Sequence, residues 1–151
     1  MTGADLKEQK LLGDLDAAEL DRIAKAMGEE THAKGALVFG EGSPTKGIFL
    51  VKKGKVEIAK STPDGWKHRL AVLAEGQFFG ELSVIEDRET HSTNATALDD
   101  TLLYRIATED FKRLERDEPQ VMYKIMKTVA RMASRNVHTM NEKLIKALIS
   151  Y

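Results

Sequence analysis

Glu75-Gly76-Gln77-Phe78-Phe79-Gly80-Glu81-Leu82-Ser83-Val84-Ile85 is the stretch whose reading decides the fold. Gly76 suits the turn at a strand end, and Phe78 and Phe79 anchor the following loop in a core. Gly80 permits a positive φ or a close approach of backbone to a bound molecule. Glu81-Leu82-Ser83-Val84 can start a short helix, whose first amides have no intrahelical partner and favour an anion. A carboxylate at Glu81 beside that anion is reasonable if it accepts hydrogen bonds from a neutral group such as a sugar hydroxyl. Amides for a phosphate and a carboxylate for a ribose make a coherent nucleotide site. The plainer reading of Glu81 is a carboxylate favoured by the start of a helix.

On the N-terminal side, short apolar runs alternate with turn residues from Thr31 onward. Ala36-Leu37-Val38-Phe39 precedes Gly40-Glu41-Gly42-Ser43-Pro44, and Ile48-Phe49-Leu50-Val51 precedes Lys52-Lys53-Gly54. Val56, Ile58 and Ala59 end at Ser61-Thr62-Pro63-Asp64-Gly65, and Leu70, Val72 and Leu73 lead back to Gly76. On the C-terminal side, Ala95-Thr96-Ala97-Leu98 and Thr101-Leu102-Leu103-Tyr104-Arg105-Ile106 read as a closing hairpin around Asp99-Asp100. Strands at this spacing predict a sandwich or barrel rather than a parallel βαβ sheet.

Both ends of the chain read as helical. Leu11, Leu12, Leu15, Leu20, Ile23, Ala24 and Met27 fall near a 3.6-residue period, with Asp16 and Glu19 spaced as a capping box and Gly28 as the stop. Thr108 can cap a short helix carrying Phe111 and Leu114. Glu118-Pro119 marks a break, because proline is tolerated in a first helical turn. From Gln120 an apolar stripe runs without Gly or Pro to the last residue, Tyr151. The expected organisation is a single domain over 1–151: helical to 30, strands over 31–107, helices over 108–151.

Composition narrows the function. Hydrophobic residues at 42% and charged residues at 31% describe a globular chain. A net charge of -1 argues against a nucleic-acid protein working through a basic face. With no cysteine, disulfide scaffolds and thiolate metal sites are excluded. His32, His68, His91 and His138 have no metal-ligand spacing among themselves, so a metal-dependent, cupin-like enzyme is a weak reading. No P-loop, nucleophile elbow or GxGxxG occurs, and no enzymatic activity is expected. No apolar run can span a bilayer and no signal-peptide core is present, so the default expectation is cytoplasmic, without a membrane partner.

Phe79-Gly80-Glu81-Leu82-Ser83 resembles the opening of the phosphate-binding cassette of cyclic-nucleotide-binding domains, the catabolite-activator-like family. The pattern Gly35, Val38-Phe39, Glu41-Gly42, then Ile48 to Val51, Gly54, Val56 and Ile58 resembles the first half of that family's β-roll. Asp99 to Phe111 resembles its end, and the long tail helix its dimer and lid helix. The resemblance spans nearly the whole chain. It implies an α+β, mainly β fold: a jelly-roll-like β-roll with N-terminal helices, a cassette at 79–93 and a long C-terminal helix. It implies no cofactor, cyclic AMP, cyclic GMP or a related small nucleotide as ligand, a homodimer through the tail helix, and an effector protein. In the receptor-type transcription factors a helix-turn-helix domain normally follows; direct DNA binding is not expected of this sequence.

The resemblance places the ribose 2′-hydroxyl on Glu81 and the phosphate near the amides of Gly80, Leu82 and Ser83. The family's cassette arginine falls at His91, or at Thr90 if the loop is one residue shorter, with Ser92 and Thr93 keeping the small hydroxyl character that follows. Arginine supplies a permanently charged fork; histidine supplies one or two donors and a charge that depends on pH. Losing a hydrogen bond to a charged group costs about 1.5–3 kcal/mol, which predicts roughly 10- to 100-fold weaker cyclic-nucleotide binding. Arg88 is a candidate substitute. In the tail, Met126, Val129, Ala133, Asn136 and Met140 follow a 3-4-3-4 spacing, with Asn136 inside the seam. Ser134, Arg135, Asn136, Thr139 and Asn141 are candidate base contacts. The competing reading is a degenerate module that dimerises and binds a protein without any ligand.

Overall fold

The computed structural model describes residues 1–150. Among them, eight strands, numbered in chain order, form two antiparallel four-stranded sheets. One sheet orders β1 (Met27–His32), β8 (Thr101–Ala107), β3 (Gly47–Lys53) and β6 (Phe78–Phe79). The other orders β2 (Leu37–Phe39), β7 (Asn94–Ala97), β4 (Val56–Ser61) and β5 (Lys67–Leu73). The chain passes repeatedly between the sheets, which is the expected jelly-roll-like β-roll. Four α-helices accompany it: α1 (Ala17–Ala24), α2 (Glu81–Ile85), α3 (Thr108–Asp117) and α4 (Pro119–Ile149). None is long and apolar enough to cross a membrane.

The run Ile48-Phe49-Leu50-Val51 does not alternate with polar residues because both faces of β3 are covered. Phe49 and Val51 point into the roll with Val38, Phe39, Val56, Phe79, Ala95 and Leu103. Ile48 and Leu50 point the other way, into a second core shared with Leu11, Leu12, Ile23, Phe111, Val121 and Ile125. That second core fastens the helical ends to the back of the roll and sets where α4 leaves it.

Four local expectations change. The N-terminal helical segment is shorter: two 3₁₀ turns, Gly3–Leu6 and Lys10–Leu12, precede α1, and strand structure starts at Met27 rather than Thr31. Asp16 and Glu19 do form the capping box, with amide-to-carboxylate distances of 2.8 and 3.0 Å. Gly28, however, is no helix stop; it pairs with Arg105 inside β1–β8. Ala95–Leu98 and Thr101–Ile106 are not a hairpin. β7 pairs with β2 and β4, while β8 pairs with β1 and β3 in the other sheet. The link is tied to both sides, the Leu98 amide donating to Lys55 O and the Lys34 amide to the Asp100 carboxylate, each at 2.9 Å. Thr108 is the first residue of α3, not its cap; Ala107 holds that position.

Glu118 leaves the helical conformation, with φ -131° and ψ 62°, and Pro119 opens α4, as the sequence indicates. At 31 residues α4 is about 46 Å long. Only its first third is buried, through Val121, Met122, Ile125 and Thr128. Ion pairs Glu19–Lys124, Asp14–Arg131 and Arg22–Glu118 tie this part to the N-terminal segment.

Candidate functional site

Alternation along β6 sends its two aromatics to opposite sides: Phe79 stacks on Phe49 inside the roll at 5.2 Å, and Phe78 joins the core behind the sheet. The chain then turns at Gly80, whose φ of 84° and position leave no room for a side chain, since a Cβ would lie 2.7 Å from Gly47 O. This turn aims α2 across the mouth of the roll. The loop 86–93 returns antiparallel to 40–46, fixed by the Pro44–Thr90 bridge and by bonds of 2.9 Å from His91 N to Ser43 O, Gly42 N to His91 O and Thr45 N to Glu89 O. Alternation in this extended segment turns Thr90 out to solvent and His91 inward. Of the two alignments left open by the sequence, His91 is the one that faces the interior.

Phe79, Gly80, Glu81, Leu82, Ser83, His91, Ser92 and Thr93 line one cavity of about 390 Å³. Asn136, exposed on α4, borders the same cavity beside Met132, so the terminal helix contributes one side of it. Arg88 does not line it. Its guanidinium is half-exposed and ion-paired with Glu86. Of the residues chosen from sequence, the cassette set and Asn136 thus converge, while Arg88 and the helix candidates Ser134, Arg135, Thr139 and Asn141 do not line the cavity. The sequence reading missed the wall opposite: Leu70, Ala71 and Leu73 of β5, with Ile58 of β4. An uninterrupted Leu70-Ala71-Val72-Leu73 on a strand whose Leu70 is 59% exposed was the available signal, since a solvent-facing position is expected to be polar.

Two titratable groups dominate the cavity. Burial pushes the Glu81 carboxyl above the usual carboxylate range, partly opposed by its own backbone amide. His91 is 2% exposed and stacks on Phe39, with ring centroids 3.6 Å apart and planes 10° from parallel. Its Nε2 lies 3.0 Å from the Lys46 amide. An amide N–H can only donate, so Nε2 is the acceptor and the ring proton sits on Nδ1. That Nδ1–H is buried without a partner. Burial, then the Lys46 charge, lower the His91 pKa to about 4, so the ring is neutral near pH 7. Among the described residues lining the cavity none is lysine or arginine. No group of three His, Asp or Glu arranged to hold a metal occurs among the described residues, as a cupin-like centre would need.

The family described as "Cyclic nucleotide-binding domain" matches residues 29–118. The chain is 29% identical over 126 residues to the cyclic AMP receptor protein of Thermus thermophilus, covering 83% of this chain and 58% of that protein. It is 29% identical over 140 residues to Glutaminase 1 of Bradyrhizobium diazoefficiens, covering 93% of this chain and 22% of that enzyme. The crystal structure of the Thermus thermophilus catabolite activator protein superposes with a TM-score of 0.78 at 26% identity, over 92% of this chain and 63% of that one. The chain therefore spans between about a fifth and three fifths of the length of these curated relatives.

Proposed function

The chain belongs to the cyclic-nucleotide-binding domain family, and from that premise we propose that it is a ligand-sensing regulatory module whose cavity takes a small nucleotide-type molecule. The observation that carries the proposal is the convergence of Glu81, His91 and Asn136 on one cavity. Glu81 accepts hydrogen bonds from ribose hydroxyls. The amides around Gly80, Leu82 and Ser83, with the hydroxyls of Ser92 and Thr93, face the position of the phosphate. Met132 and Asn136 meet the base.

A ligand touching both cassette and helix favours the arrangement of α4 in which those contacts exist. The signal is the difference in affinity between that arrangement and others. No residue performs covalent chemistry in this scheme. Met126 and Val129, placed in the seam by their spacing, pack on the second core instead, and Asn136 lines the cavity. The exposed stripe beyond them, Val137, Met140, Leu144 and Leu148, pairs with the same stripe of a second copy, and an effector protein reads the paired helices. Cyclic AMP and cyclic GMP bind weakly, because a neutral His91 stands where the resemblance places a charged fork.

Calorimetric titration with both cyclic nucleotides, on the native chain and on Glu81→Ala, tests the proposal. Saturable binding in the high-micromolar to millimolar range, lost in Glu81→Ala, is expected. The second reading, a ligand-independent dimerising scaffold, is favoured by the cation-free cavity; it predicts no heat of binding and an unchanged dimer in both proteins.

A further inference from the structure

The charge inventory of the cavity does not match a cyclic phosphate. Its described lining holds one carboxylate, Glu81, and no lysine or arginine. The two cations attached to the surrounding loops are engaged elsewhere: Arg88 with Glu86, and the Lys46 ammonium with Val38 O at 3.3 Å. α2 is five residues long, too short to provide a substantial N-terminal field. What the cavity does offer is the neutral His91 ring, an aromatic and aliphatic wall, and the Asn136 amide, which both donates and accepts.

We propose that the site is built for an uncharged nucleoside and selects against its 3′,5′-cyclic phosphate. This rests on the reading of the cavity as a nucleotide-type site and specifies its ligand class. A phosphodiester carries a fixed negative charge, and entering this cavity removes water from its walled sides without supplying a counter-ion. A desolvated, uncompensated charge is among the costliest burials in a protein, and the Glu81 carboxylate adds like-charge repulsion at short range. A nucleoside incurs neither cost. Its ribose keeps the vicinal hydroxyls that Glu81 can accept from, and its neutral 5′-hydroxyl needs no counter-ion. Its base still meets Leu70, Leu73, Met132 and Asn136. A cavity of about 390 Å³ is within the usual range for ligands of this size.

Calorimetry of the whole chain with adenosine, guanosine, cyclic AMP and cyclic GMP tests the selection. At least one nucleoside is expected to bind tenfold or more tightly than its own cyclic monophosphate. His91→Arg should reverse that order by adding the missing cation. Should His91→Arg fail to fold, Glu81→Gln, which removes the repelling charge, should narrow the gap between nucleoside and cyclic nucleotide. Native protein that binds a cyclic nucleotide more tightly than its nucleoside overturns the selection while leaving the nucleotide-type site intact. Absence of binding by all four at millimolar concentration overturns both.

Discussion

At the scale of single residues, His91 carries the most information. Its ring lies on Phe39 and its Nε2 takes the Lys46 amide, so the folded protein keeps it neutral to a lower pH than the unfolded chain does. Its pKa is 6.5 in the open chain and about 4 in the fold. Between those values the unfolded state binds the extra proton. Stability is therefore full above about pH 6.5, falls as the pH drops towards 4, and loses nothing further through this group below that. Urea midpoints between pH 7 and 4 should show this loss, and His91→Gln should show a shallower one, because glutamine can accept the Lys46 amide without titrating. Equal pH dependence in both proteins would remove His91 as the cause. The residues of the loop were largely legible beforehand: Phe78 and Phe79 as anchors, Gly80 as the positive-φ turn, Glu81 as the carboxylate of the cavity. The tautomer of His91 was not, because it depends on an amide 45 positions away in sequence.

At the scale of elements, α4 does three things along its length. Val121, Met122 and Ile125 anchor it to the roll, Met132 and Asn136 face the cavity, and beyond them Val137, Met140, Leu144, Ile145 and Leu148 are exposed. Such an apolar stripe on an unsupported helix is covered by a like helix at little cost in specificity. Leu144→Glu should therefore convert a dimer into a monomer by sedimentation velocity at micromolar concentration. Its circular dichroism should stay near native, since Leu144 touches neither core. A monomeric native protein at high concentration would contradict the pairing. Elements were read unevenly from sequence, for physical reasons. The Asp16–Glu19 box and the Pro119 start are local chemistry and were readable. The pairing of β7 and β8 was not, because adjacency in sequence favours a hairpin and only the two cores decide which sheet each strand joins. β5 was read as a strand, but its role as cavity wall depends on where α4 lies.

At the scale of the whole molecule, two cores divide the work. The core inside the roll holds the cassette through Phe39, Phe49 and Phe79, and the core behind it holds α4 against the N-terminal segment. β3 belongs to both, with Phe49 in one and Leu50 in the other. In the proposed scheme the ligand and the helix are coupled across this packed strand as well as directly through the cavity. The most direct test is an amide chemical-shift titration of the isotopically labelled chain with adenosine, guanosine and cyclic AMP. Saturable shifts appearing together at 79–83, 91–93 and 132–136 are predicted, with a common dissociation constant for each ligand. Saturable shifts that leave 132–136 unmoved, or no shift with any of the three at millimolar concentration, would contradict the account.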